Sequence, residues 1–208
     1  MRHVVKYMDK LQGINSYQTG SGLWIHVRPL LPQDAPYLVD LFENMGSESR
    51  YNRFLQPLDQ VEMDYVWTEA EQIAEKVATV SYGLVAFVDM PERDNVPVGV
   101  VRYVELTATR AEIAVSVRDD MQRKGIGTEL MRLLFLHAKI RGIEQLVGTV
   151  QNSNAPMWAM LKKLNYRVEH QSEGSYSEII IHLHESVHRR EDYLDAAADY
   201  SPEPQLSW

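Results

Sequence analysis

Apolar residues along this chain recur at two spacings, about every second residue in some stretches and about every 3.6 in others. Residues 23–28 set Leu, Ile and Val between Trp, His and Arg, which predicts a first strand closed by Pro29. Leu38, Leu41, Phe42 and Met45 then fall at helical spacing behind Asp34, a good N-cap, and predict a helix over 35–44 with Pro36 in its first turn. Ser47 caps a second, short helix carrying Arg50 and Arg53 near its end. Residues 58–76 are helical and acidic, with most of the acids on a solvated face. Short strands follow at 82–88 and, rich in valine, at 97–105, joined by a turn over 90–95. After a hairpin-like link at 107–109 comes the strand 111–117. A helix is expected at 126–141, with Leu130, Leu133, Leu134 and His137 on one side and Gly142 as its stop. A strand at 145–150, a helix at 155–164 capped by Asn154, and strands at 166–171 and 176–184 complete the pattern. This order implies a mixed α/β (α+β) domain of three layers.

Composition narrows the picture. The chain has 208 residues and 45% hydrophobic positions, enough for one domain with a substantial core. Residues 1–22 end in Thr19-Gly20-Ser21-Gly22 and read as an N-terminal extension, 23–185 as the domain, and 186–208 as an acidic C-terminal tail. Net charge is −8, which argues against nucleic-acid binding, since that needs a basic face, and suits a cationic acceptor. With no cysteine there is no disulfide, thiolate metal site or cysteine nucleophile. No apolar run reaches membrane-spanning length and residues 1–10 do not resemble a secretion signal, so a soluble cytoplasmic protein is expected; a homo-oligomer stays open.

The chemistry concentrates between the strand 111–117 and the helix that follows the loop. Gln122, Arg123, Lys124, Gly125, Ile126, Gly127 and Thr128 lead into that helix, whose first free amides and dipole favour an anion. Gly125 and Gly127 leave room for a bulky anion, and Arg123 and Lys124 add positive charge. A dinucleotide fingerprint fails because Leu130 stands where a small residue is needed, and a P-loop fails because Lys124 precedes the glycines. The remaining pattern, Gln/Arg-x-x-Gly-x-Gly, resembles the acyl-CoA pyrophosphate loop of the GCN5-related N-acetyltransferase (GNAT) family. That resemblance implies a GNAT-like, mostly antiparallel sheet of about seven strands flanked by helices. It implies acetyl-CoA as cosubstrate, with the pantetheine arm along Val115, Ser116 and Val117 and near Asn154. The run Ser47-Glu48-Ser49-Arg50-Tyr51-Asn52-Arg53-Phe54 is similar to one in the bacterial protein-lysine acetyltransferase branch.

Acyl transfer to an amine needs that amine unprotonated, although alkylamines have a pKa near ~10, so a general base is useful. The Ala111-Glu112-Ile113-Ala114 strand is similar to one of that branch whose glutamate is the base, which implies this role for Glu112; Glu105 is the runner-up. Arg102 and Arg110 are the ion-pair partners open to Glu112 in a purely structural role. The family's usual acid, a tyrosine seven residues after the asparagine, is replaced by Leu161. Tyr166, near it, is expected to pack in the core. His182, His184 and His188 beside Glu185 read as solvated, and no metal site is expected. The sequence thus points to an N-acetyltransferase acting on a protein lysine or a small amine, without nucleic acid or membrane. The alternative is an acyl-CoA-binding sensor that has lost turnover.

Overall fold

The computed structural model describes residues 15–77 and 79–186. Most of the expected N-terminal extension, the C-terminal tail and His188 lie outside the described residues. In chain order the elements are β1 (Asn15–Gln18), β2 (Trp24–Pro29), α1 (Ala35–Glu43), α2 (Ser47–Phe54), α3 (Met63–Lys76), β3 (Ser81–Met90), β4 (Arg93–Glu105) and β5 (Arg110–Val117). A single 3-10 turn (Asp119–Met121) leads to α4 (Ile126–Ile140), β6 (Gln145–Gln151), α5 (Ala155–Leu164), β7 (Tyr166–Glu173) and β8 (Tyr176–Ser186). The strands form one sheet in the order β1-β2-β3-β4-β5-β6-β8-β7. All neighbours are antiparallel except β5 and β6.

Among the described residues, five helices cover the two faces of this mixed α/β sheet. On one side α4 buries Leu130, Leu133, Leu134, Phe135 and Ala138 against β3, β4 and β5, and α5 adds Leu161. The leucine spacing expected to face the core does so, and Gly142, with φ +83°, ends the helix. On the other side α1 and α3 share a smaller cluster of Ala35, Val39, Phe42, Val66, Ala70 and Ala74. A third cluster, Leu30, Val85 and Phe87, joins them to the sheet.

Several local expectations change once the chain is folded. Residues 15–18, at the end of the segment read as an extension, form β1 and pair with β2, making eight strands where about seven were expected. Alternation over four polar residues is too weak to show this; the pairing partner supplies the hydrogen bonds. The 90–95 turn shrinks to Pro91 and Glu92, because Met90 pairs with Arg93 and Asp89 accepts a hydrogen bond from the Asn95 amide. Helix α3 begins at Met63 rather than 58, with Glu62 extended before it. Asp34 precedes α1 as expected, but its carboxylate makes no cap. It is buried instead between the Arg28 guanidinium, at 2.5 and 3.0 Å, and the Leu31 amide at 2.8 Å. A charged partner holds a buried carboxylate more strongly than a helix amide does.

Candidate active site

The one parallel strand pair is also the one that parts. β5 and β6 are in register only at Arg110–Gln145, Ala111–Leu146 and Glu112–Val147. β5 continues to Val117 paired with β4 on its other side, while β6 stays paired with β8 along its whole length. From Ile113 to Val117 one backbone edge of β5 therefore faces a wedge rather than a strand. Val115 and Val117 pack their side chains on the core, and Ser116 faces the opposite side. An extended amide-bearing chain can lie along such an edge as an added strand.

The wide end of the wedge meets the amino end of α4. Gly125 is its N-cap at φ +86°, and no side chain caps the helix. The first intrahelical bond runs from the Glu129 amide to the Gly125 carbonyl. The amides of Gly125, Ile126, Gly127 and Thr128 are thus the unsatisfied donors of a helix start, an arrangement suited to a pyrophosphate. The structure separates roles within this loop. Arg123 has φ +59°, which turns the chain into the helix start. Ile126 buries its side chain in the core, so only its amide is on offer. The Gln122 side chain does not face the free amides; it donates to Ser49 Oγ at 3.0 Å, the Val117 carbonyl at 3.2 Å and Asp119 Oδ1 at 3.0 Å. Lys124 donates to the Asp120 carbonyl. Asn154 spends its Oδ1 on the Met157 amide at 3.1 Å as the cap of α5, and its NH2 group has no protein partner among the described residues.

Glu112 stands at the last shared rung of β5 and β6, where the wedge begins. Ala111 is buried beneath the sheet, so strand alternation puts Glu112 on the other face, where it is exposed. Arg102 on β4, opposite Ala114, is its diagonal neighbour on that face. Arg53 reaches in from the last turn of α2. Burial pulls Arg53 down to about 10, the like charge of Arg102 adds to this, and Glu112 opposes it. Arg102 is lowered by burial too, against the attraction of Glu112 and Glu69. Glu112 itself makes no ion pair within 4.0 Å among the described residues. Its carboxylate borders an open groove of about 460 Å³ whose lining includes Arg110, Thr149, Glu169, Gln171 and Glu178. Glu105 is brought to a different place. It pairs with Ala111 on the near side of the rung and faces as buried Tyr103 does, away from the groove.

The remaining expectations resolve through packing. Leu161 is 3% exposed within the main core. Tyr166 packs edge-on against Phe135, centroids 5.2 Å apart, with the Lys139 ammonium 4.6 Å from its ring centre. His182 lies 3.2 Å from Glu169 on the same face as the groove. Two residues at the site had no role assigned from sequence. The hydroxyls of Tyr51 on α2 and Tyr176 on β8 meet at 3.0 Å. Tyr51 sits in the 47–54 run, which was the available signal; Tyr176 gave none.

A sequence model of the acetyltransferase (GNAT) family matches residues 49–166. The chain belongs to the GNAT family. That family is one of acetyltransferases. The chain is 27% identical over 151 residues to Acetyltransferase Pat of Mycolicibacterium smegmatis. That match covers 71% of this chain but 42% of the relative, so the chain spans about two fifths of that protein. The GNAT domain of S. lividans PAT shares the fold, with a TM-score of 0.67 and 22% identity over 80% of this chain and 95% of that one. The PaiA N-acetyltransferase of Thermoplasma acidophilum, in complex with coenzyme A, also shares it, with a TM-score of 0.58 and 17% identity over 76% and 98% of the two chains. No described helix of this GNAT protein is long and apolar enough to cross a membrane.

Proposed function

We propose that this GNAT protein transfers the acetyl group of acetyl-CoA to a primary amine, either a protein lysine or a small amine, with Glu112 as general base. The observation that carries the reading is the position of Glu112 at the rung where β5 and β6 separate. A thioester whose pyrophosphate rests on the amides of 125–128 and whose pantetheine follows Val115, Ser116 and Val117 ends near that rung. The loop amides and the strand edge bind and orient; this alone supplies much of the rate by fixing the approach of amine to carbonyl. Glu112 takes a proton from the incoming ammonium, directly or through one water in the open groove. The neutral amine then attacks the acetyl carbon, and the C–S bond breaks. Glu169 and Glu178 in the groove wall suit a cationic acceptor. Arg53 and Arg102 beside Glu112 supply opposite charge to its carboxylate.

The test is thiol release from acetyl-CoA in the presence of a panel of primary amines and lysine-containing peptides. Glu112→Gln is expected to lower kcat by roughly 10²–10⁴-fold while leaving CoA affinity unchanged. A near-normal rate across pH would remove Glu112 from the role. Leu161 in the core favours one other reading, an acyl-CoA sensor without turnover, since the family's usual tyrosine is absent there. Tight CoA binding with no thiol release from any acceptor would support that reading instead.

A further inference from the structure

Most half-buried arginines of the described residues have an obvious partner. Arg28 holds Asp34, Arg118 holds Asp120, and Arg50 donates to the carbonyls of Phe42 and Leu58. Arg53 and Arg102 are half-buried too, yet neither has a carboxylate within 4.0 Å among the described residues. Nε of Arg102 is closed to solvent and meets no acceptor there. Burying a guanidinium N–H without an acceptor costs free energy, so a pair of such groups calls for a physical reason.

The two arginines converge beside Glu112. Arg102 pairs across the sheet with Gly83 of β3 and Ala114 of β5, so neither flanking strand sets a long side chain next to it. It shares a face with Glu112, Ala114 and Ser116. Arg53 comes down on this face from the last turn of α2, which packs on β5, with its guanidinium 4.9 Å from the ring centre of Phe54. The like charge of Arg102 helps to hold the Arg53 pKa down, as expected of neighbours. Glu112 attracts both and Glu69 attracts Arg102, but from beyond ion-pair distance. Two converging guanidinium forks of like charge, short of an acceptor, are complementary to a planar anion that each can grip with two N–H groups.

We propose that Arg53 and Arg102 form a carboxylate subsite beside Glu112, and that the acceptor is a small amine that carries a carboxylate, namely an amino acid or a close derivative of one. This rests on the acetyltransferase reading above. In that reading the phosphates of CoA lie at the far end of β5, on the amides of 125–128, and the acetyl group is uncharged, so the anion belongs to the acceptor. Its ammonium is drawn to Glu112 and its carboxylate to the two guanidiniums. The acceptor is thus held by both ends, and once Glu112 has taken the ammonium proton, the carboxylate contact still fixes the approach of the amine to the thioester.

The experiment follows thiol release from acetyl-CoA with amino acids, each set against the amine left when its carboxylate is removed: lysine against cadaverine, phenylalanine against phenethylamine, β-alanine against ethylamine. The wild-type chain is expected to favour its best amino acid over the matching amine by roughly tenfold or more in kcat/KM. Arg53→Gln and Arg102→Gln should each cut that preference by roughly tenfold, mainly through KM for the amino acid, with the CoA dissociation constant unchanged. Arg53→Lys and Arg102→Lys, which keep the charge and lose the fork, should retain part of the preference, and they carry the comparison where a Gln variant loses CoA binding. A wild-type preference near one would overturn the proposal and leave the acetyltransferase reading standing. So would variants that slow the amino acid and its amine alike, since that effect comes through Glu112 or the fold. A preference for succinyl-CoA over acetyl-CoA that Arg102→Gln abolishes would put the carboxylate on the acyl group and overturn its assignment to the acceptor. Absence of thiol release with every acceptor, with CoA still bound, would overturn both readings.

Discussion

Gly125 and Gly127 lie two positions apart in the loop yet serve different ends. A Cβ on Gly125 would meet nothing within 4 Å, but the residue holds φ +86°, which a side chain resists. A Cβ on Gly127 would sit 3.2 Å from Met160 Sδ and 3.4 Å from a methyl of Val117, so this glycine lets α4 close on α5 and β5. Gly125→Val should carry about 1–3 kcal/mol of backbone strain or rotate the free amides away from the phosphates. CoA affinity is then expected to fall by roughly tenfold or more, as measured by titration calorimetry. Gly127→Val should instead lower the melting temperature of the unliganded chain, because Met160 and Val117 must move. Equal effects on both readouts would contradict this division of labour. Glu112 and Glu105 teach the same lesson: the two acids are near in sequence, but they face opposite sides of one sheet.

Among the elements, α2 is built unlike the others. α4 is fixed by a buried leucine stripe, whereas α2 has no fully buried residue and is tied to the 3-10 turn, Gln122 of the glycine loop and β8 by hydrogen bonds. It therefore links the start of α4 to β8 across the wedge. Gln122 is the tie on the cofactor side, with its amide shared among Ser49, Val117 and Asp119. Gln122→Ala should free both the loop and α2 while leaving the core untouched. Lost hydrogen bonds of about 1 kcal/mol each would then weaken CoA binding several-fold and increase amide hydrogen exchange in 47–54, with little change in melting temperature. Unchanged exchange in α2 would show that its other contacts suffice.

At the scale of the whole molecule, the wedge exists because one pair of strands in an otherwise antiparallel sheet is parallel and shares only three rungs. The long β3–β4 hairpin and α4 hold β5 on one side, and β8 holds β6 on the other. The opening is therefore a property of the framework rather than of a mobile loop. The same framework carries a pH dependence away from the site. His137 on α4 stacks on Tyr82, ring centres 3.4 Å apart, and Nδ1 lies 3.1 Å from the Tyr103 hydroxyl. Burial, with the like charge of nearby Arg141 adding to it, lowers its pKa from 6.5 to about 4. Between those values the unfolded chain binds a proton that the folded chain does not, so stability rises with pH across that window and is lost as pH falls through it. Thermal melts should show a loss of order 2 kcal/mol from pH 7 to pH 4, reduced in His137→Gln. A variant that melts with the wild-type pH dependence would assign the loss to carboxylates elsewhere.

The amino-acid order by itself determined the sites of most strands and helices, the glycine loop at the start of α4 and the relation to the GNAT family. These depend on contacts within a few residues: period-two and period-3.6 patterning, glycine torsions, and amides left free at a helix start. The place of Glu112 on the strand that runs into the loop was legible for the same reason. Only the tertiary structure decided which carboxylate meets the wedge, that Gln122 ties the loop to α2 rather than facing the free amides, and that residues 15–18 add a strand to the sheet. It also brought Tyr51 against Tyr176, 125 residues later, and buried Leu161 where a proton donor was sought. Such pairings arise from strand register and helix packing, which no local pattern records, because each half of the contact is an ordinary residue until the sheet sets the two side by side.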